Sequence, residues 1–230
     1  MQYIIFAILF FYTANWRLIQ NWFVKDTSGS NVLTNKITDK KISDFIYAST
    51  KVKLAHVYIA PSKTLFAFCG GITRTPILVI SKGAYESFKG DALEWLLLHE
   101  MGHHVLDHTL GITTVQLSYA IIGGFILMQL HSVWLLIITI PLLSVLFAIA
   151  AIQTNKIFDF YANAFAVKKM KNPLGMKEGA MLLMKQAQRN GITQDTLLMK
   201  LFYQWNYGMW YRTIRDAEKE NEKRNSVYNT

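Results

Sequence analysis

The chain has 230 residues, 52% of them hydrophobic and 17% charged, with a formal net charge of +9 and a mean hydropathy of +0.20. That balance is too apolar for an ordinary soluble domain and too charged for a bundle lying wholly in lipid, so a membrane part and a water-exposed part are expected. The single cysteine, Cys69, excludes an internal disulfide and a cysteine-rich zinc site, and reads as packing rather than as a nucleophile. No basic helix, aromatic RNA platform or zinc-finger spacing accompanies the positive charge, which excludes nucleic acid as a partner.

The charge is unevenly placed. Residues 1–110 hold eleven Lys or Arg against eight Asp or Glu, residues 153–230 hold thirteen against seven, and residues 111–152 hold none of either kind. Basic segments flanking an uncharged apolar block are the pattern of chain left on the cytoplasmic side of a membrane.

Residues 3–14 form an apolar run, followed by Trp16, Arg17, Trp22 and Lys25. Extended to residue 24, the run is long enough for a tilted span of about 20 residues, and it lacks the basic start and cleavage site of a signal peptide. Residues 1–24 are therefore expected to be an uncleaved N-terminal membrane anchor, with a surface-lying amphipathic helix as the rival. Residues 28–31 read as a loop and residues 39–50 as a helix. Three short runs, 55–59, 65–68 and 77–80, read as strands separated by turns at Pro61 and at Gly70-Gly71. A helix opens near Gly90, with Asp91 and Glu94 at the spacing of a capping box.

Residues 112–130 and 133–152 are two apolar stretches without a formal charge, each about as long as the hydrocarbon core is thick. They predict a transmembrane hairpin whose tip, free of Lys and Arg, faces away from the cytoplasm. The second helix is expected to continue through residues 155–170 and to end at Asn172-Pro173-Leu174-Gly175. Helices near 177–189 and 193–211 follow. The charged tail after Asp216 reads as a solvated helix end or as disordered chain.

The helix that opens near Gly90 carries His99-Glu100-Met101-Gly102-His103. Positions i and i+4 of a helix lie one above the other, so both imidazoles reach one metal ion, and Glu100 is placed to take a proton from a water that the metal activates. A chain of this composition yields only about 0.005 such matches by chance, so the spacing is read as a motif.

A catalytic zinc usually has three protein ligands. His108, nine residues beyond His99, points away around the helix, and the longer metzincin pattern is missed because Leu106 and Thr109 stand where Gly and His are required. Asp107 lies on the correct face but about 12 Å along the axis. Asp159 is the better candidate. His103 precedes the first apolar helix by about 13 Å and Asp159 follows the second by about 10 Å, so antiparallel helices leaving one membrane face bring them to similar heights. Asn163, one turn on, is placed to hydrogen-bond a ligand histidine.

The order of N-terminal anchor, Leu98 to His103, two membrane helices and Asp159-Phe160-Tyr161-Ala162-Asn163 resembles the HtpX-like and CAAX-prenyl-protease-like integral membrane zinc metallopeptidases, over roughly residues 52–190. The family's Glu-x-x-x-Asp motif after the hairpin aligns with Asp159 and Asn163, which implies Asp159 as the third zinc ligand. Phe66-Ala67-Phe68-Cys69-Gly70 resembles the family's Asn-Ala-Phe-Ala edge strand, which implies pairing with substrate backbone. Residues 77–81, Gly83 and residues 91–99 resemble its strand, turn and helix start. This chain departs from the pattern at Asp159 (for Glu), Asn163 (for Asp) and Phe66 (for Asn), and it has no Ser-His-Pro near Trp205–Tyr207.

The resemblance implies an α+β, mainly α, zincin-like metallopeptidase domain with a small sheet. Its halves, residues 25–111 and 153–216, are separated by the transmembrane hairpin (112–152) and flanked by the anchor (1–24) and the charged tail (217–230). It implies a gluzincin-like zinc endopeptidase with one zinc per chain, bound by His99, His103 and Asp159, with Glu100 as catalytic base and no further cofactor. The substrates would be membrane-associated or misfolded proteins and peptides. The lipid bilayer is the second partner, and the location would be a bacterial inner membrane, multi-pass, with the active site facing the cytoplasm. The sequence sets neither the oligomeric state nor the oxyanion donor, for which Arg74, His108, Tyr161, Tyr207 and Arg212 are the polar candidates. A catalytically silent scaffold of the same fold is the alternative. A site-two-type intramembrane protease is set aside, because the motif sits among Asp91, Glu94, Asp107 and His108 rather than within an apolar span.

Overall fold

The computed structural model describes residues 40–70, 75–130, 132–189 and 197–228. The expected N-terminal anchor and the loop at 28–31 lie outside the described residues. In chain order the elements are α1 (Lys40–Thr50), β1 (His56–Ala60), β2 (Ala67–Gly70), β3 (Ile77–Ser81), α2 (Lys82–Ser87), α3 (Gly90–Val105), α4 (His108–Gln129), α5 (Val133–Lys169), α6 (Leu174–Arg189) and α7 (Leu197–Tyr228). The described chain is mainly helical with one small sheet, as expected.

The chain divides into two compact units. One consists of Val32–Leu106 together with Asp159–Thr230; the other contains Asp107–Phe158. In the first, the sheet has the order β1-β3-β2, with β1 parallel and β2 antiparallel to β3. The middle strand, Ile77-Leu78-Val79-Ile80-Ser81, is buried at every position but the first, as expected of a strand covered on both faces. Strands β1 and β2 begin one and two residues later than the apolar runs predict, because pairing with β3 sets their register.

Helix α3 packs on β2, α1 and α6. Its Ala92, Trp95, Leu96, Leu97, Leu98 and Met101 are all buried, which is the pattern of a core helix rather than a one-sided surface helix. Ile42 and Ile46, one turn apart on α1, close the core with Leu78, Ile80, Phe88 and Met176. The expected capping box does not form. Lys89 is the N-cap of α3 and makes no side-chain cap bond. Asp91 accepts from Asn172 Nδ2 at 2.6 Å and Glu94 accepts from the Lys171 N–H at 3.3 Å, so both carboxylates serve the loop after α5 instead.

The charged tail continues α7 to Tyr228. It is also fastened: the Arg224 guanidinium donates to the carbonyls of Val167, Met170 and Lys171 at 2.6, 2.8 and 3.2 Å. Val167 lies in the last turn of α5, where a helix leaves carbonyls without partners further along, and Met170 and Lys171 follow directly.

In the other unit, α4 and the first part of α5 run antiparallel. Tyr119 meets Phe147 edge to face at 6.1 Å, Gly123 faces Leu143, and Gly111 faces Phe158. His108 is buried and stacks on Phe158 at 4.5 Å. Most other apolar side chains here are exposed, Phe125 at 63% and Trp134 at 76% among them. Both helices are long and apolar enough to cross a membrane.

Candidate metal centre

Three side chains from two helices of the first unit converge. His99 and His103 stand one turn apart on α3, and their Nε2 atoms are 3.2 Å apart. Asp159 comes from α5, with Oδ1 3.3 Å from His103 Nε2. The ligand-capable atoms of the three all lie within 4.8 Å of one another. Tetrahedral ligands bound at about 2.0–2.2 Å are about 3.2–3.6 Å apart, so two of these separations are already those of a zinc site. Two imidazoles and one carboxylate suit that ion, and the residues present fit it.

Gly102 makes this approach possible. A Cβ there would lie 3.1 Å from Ala162 Cα and 3.2 Å from both Ala162 O and Phe165 Cδ1. Helices α3 and α5 therefore touch backbone to backbone at Gly102 and the fully buried Ala162. Asp159 and Asn163 are the neighbours of Ala162 on that face. That contact sets how near Asp159 comes to the histidines of α3.

Asn163 is buried and fixes the state of His99. Its Oδ1 accepts from Trp95 Nε1–H at 3.1 Å, and its Nδ2 donates to Thr213 Oγ1 at 3.2 Å, while that hydroxyl donates to the Met209 carbonyl at 2.9 Å. Trp95 can only donate, and the Thr213 hydroxyl has already spent its proton, so both ends of the amide are determined. His99 Nδ1, 2.9 Å from the same Oδ1, must then carry the proton. In the neutral imidazole Nε2 then keeps its lone pair, facing His103 and Asp159, the tautomer a metal ligand needs.

Trp95 is held in turn by α6. A side chain at Gly179 would run into its indole, and one at Gly175 would meet Asp91 at 2.5 Å. Sequence reasoning found Asn163 but missed Trp95, Thr213 and these two glycines. The Gly-x-x-x-Gly spacing of 175 and 179 marks a face for close helix contact, and Trp95 lies one helical turn before His99; both signals were in the chain.

Glu100 adjoins the ligands. Burial pushes its carboxyl up to about 8, the nearby Asp159 charge adds to the rise, and a hydrogen bond from the Cys69 backbone N–H works in the opposite direction. A bound dication also favours the carboxylate. Cys69 itself is packing, as expected: its Sγ lies 3.8 Å from Met101 Sδ, and burial, with Glu100 adding, pushes the thiol up to about 12.

Of the polar candidates for an oxyanion donor, Arg74 lies outside the described residues and Tyr161 is 58% exposed. Arg212 lies over the Phe160 ring at 3.8 Å and pairs with Asp216 at 3.6 Å. Asp107 ends the run from α3 as the N-cap of α4, in the left-handed region at φ 52°. The metal-compatible group found among the described residues contains Asp159 and not Asp107.

Paired helical histidines and a carboxylate from a second helix could together hold a metal ion, with a glutamate adjoining them. The sequence profile of Peptidase family M48 matches residues 33–213, and the chain belongs to that family. The resemblance to HtpX-like and CAAX-prenyl-protease-like metallopeptidases is thereby borne out. A search of curated proteins finds no match. Among solved structures, the crystal structure of S. mikatae Ste24p is similar at a TM-score of 0.49 and 13% identity, over 94% of this chain. This chain spans 62% of the length of that one.

Proposed function

We propose that the chain is a membrane-bound, gluzincin-like zinc endopeptidase that cleaves membrane-associated or misfolded proteins. The observation that carries the reading is the convergence of His99, His103 and Asp159, with their ligand atoms within 4.8 Å and Glu100 beside them. His99 and His103 would hold the ion through Nε2, and Asp159 would supply the anionic third ligand. Zinc, when bound, supplies the Lewis acid that activates water and polarises the scissile carbonyl. Glu100 takes the water's proton and passes it to the leaving amine. Asn163, with Trp95 and Thr213 behind it, keeps His99 in the ligating tautomer. The edge of β2 receives substrate backbone as an added strand.

The membrane assignment draws on α4 and α5, which have the length and composition of spans. Their exposed apolar surface calls for a covering that water cannot provide. On this reading they form the hairpin that interrupts the metallopeptidase domain. Helix α5 carries both its apolar stretch and Asp159, which favours juxtamembrane substrates. The basic flanks support a cytoplasmic face for this side, and the proposed location is a bacterial inner membrane. The convergence of His99, His103 and Asp159 supports the enzyme over the silent scaffold.

The test is Glu100→Gln in the full-length, zinc-loaded protein. Zinc content should match wild type while hydrolysis of an unfolded protein substrate falls by at least about a hundredfold. Undiminished cleavage would defeat the reading.

A further inference from the structure

Strand β2 carries a face that the chemistry above leaves unused. Ser81 N–H donates to the Phe66 carbonyl at 2.9 Å, and Phe66 N–H donates to Ser81 Oγ at 3.1 Å. Bonding alternates along an antiparallel strand, so Phe66, Phe68 and Gly70 turn their backbone groups toward β3, while Ala67 and Cys69 turn theirs to the open edge. There the Cys69 N–H meets the Glu100 carboxylate. The N–H and C=O of Ala67 have no backbone partner among the described residues.

The side chains follow their own alternation. Ala67 and Cys69 pack against the core beside Met101. Phe66 and Phe68 stand on the opposite face, each half-buried. The Phe68 ring leans over Gly70, whose missing Cβ would lie 3.8 Å from Phe68 Cε2. An aromatic surface thus borders the one stretch of edge that reaches Glu100.

We infer that Phe66 and Phe68 select substrates, favouring extended peptides with two apolar side chains at alternate positions, i and i+2. The inference rests on the peptidase reading and names its substrate class. A strand added at Ala67 passes Glu100 at Cys69. Its residues opposite Phe66 and Phe68 lie within about 5.5 Å, Cβ to Cβ, of the aromatic side chains, and the residue between them points to the α3 side. Backbone bonds to Ala67 hold any sequence; the two rings add the preference.

The test is peptide binding to the full-length, zinc-loaded Glu100→Gln protein in detergent, read by fluorescence anisotropy. Two labelled heptapeptides of identical composition are compared, one with two Leu at i and i+2, the other with the two Leu adjacent. The alternating peptide should bind about tenfold tighter. Adding Phe68→Ser should bring the two within about twofold, whereas Phe68→Leu should keep most of the difference. Equal binding of the two peptides, or a preference that survives Phe66→Ser with Phe68→Ser, overturns the inference. So does absence of binding together with a dimer that Phe68→Ser dissociates, which gives the face to a second copy. Failure of the wild type to hydrolyse protein is a separate result: it defeats the peptidase reading and leaves this binding comparison intact.

Discussion

Asn163 Oδ1 lies 2.9 Å from His99 Nδ1 and also accepts a hydrogen bond from the Trp95 indole N–H, so it faces a donor at Nδ1, and the neutral imidazole turns its Nε2 lone pair toward His103 and Asp159. On the proposed reading the asparagine is an orienting group for the metal centre; Thr213 holds it from the far side. Replacing it should show which of its properties counts. Asn163→Ala should weaken zinc binding by about 10- to 100-fold in a chelator competition. It should also cost about 1–3 kcal/mol of stability, since a buried indole N–H loses its partner. Asn163→Asp retains an acceptor for both donors and should stay close to wild type in zinc affinity.

Gly102→Ala tests the close contact of α3 and α5. The added methyl meets backbone atoms of Ala162 at 3.1–3.2 Å, so α5 must move back by a few tenths of an ångström. The expected result is a loss of zinc affinity of about tenfold, with a stability cost of about 1–3 kcal/mol. Asp159→Glu added to that variant should recover affinity, because the longer carboxylate spans the wider gap. Recovery in chelator competition checks the point.

Arg224→Ala removes three bonds to the end of α5. Its side chain is about one-quarter exposed, so solvent screens part of the effect, and a loss of about 1–3 kcal/mol is expected in denaturant unfolding. Lys in its place should restore only part, since an ammonium lacks the planar fork that meets several carbonyls at once.

Cys69 gives a pH prediction. Its thiol is pushed up to about 12, so the neutral form dominates throughout the physiological range. Only the thiolate is alkylated. Reaction of the native protein with iodoacetamide should therefore be far slower than that of a free cysteine at pH 8. It should rise about tenfold per pH unit as long as the fold holds. Rapid labelling at pH 8, or a rate that levels off near pH 9, contradicts the burial described.

The parts legible in the sequence were those set by spacing along one element. His99, Glu100 and His103 follow from helical periodicity, and the uncharged stretches behind α4 and α5 follow from length and composition. Asp159 and Asn163 were reachable because two helices and their distances from an apolar block fix relative height. What failed depended on partners distant in sequence. Asp91 and Glu94 have capping-box spacing, yet the loop at Lys171 and Asn172 competes for both carboxylates and wins. The tail is the mostly exposed helix end its composition suggests, but composition did not show that Arg224 finds carbonyls more than fifty residues upstream. Trp95 and Thr213 reach Asn163 across 68 and 50 residues, a relation no local pattern encodes.

The most direct measurement is the zinc content of full-length protein, purified zinc-replete, for wild type, Asp159→Ala and Asp107→Ala. The account predicts about one zinc per chain in wild type and in Asp107→Ala, and a clear loss in Asp159→Ala. Zinc retained by Asp159→Ala and lost from Asp107→Ala would contradict it.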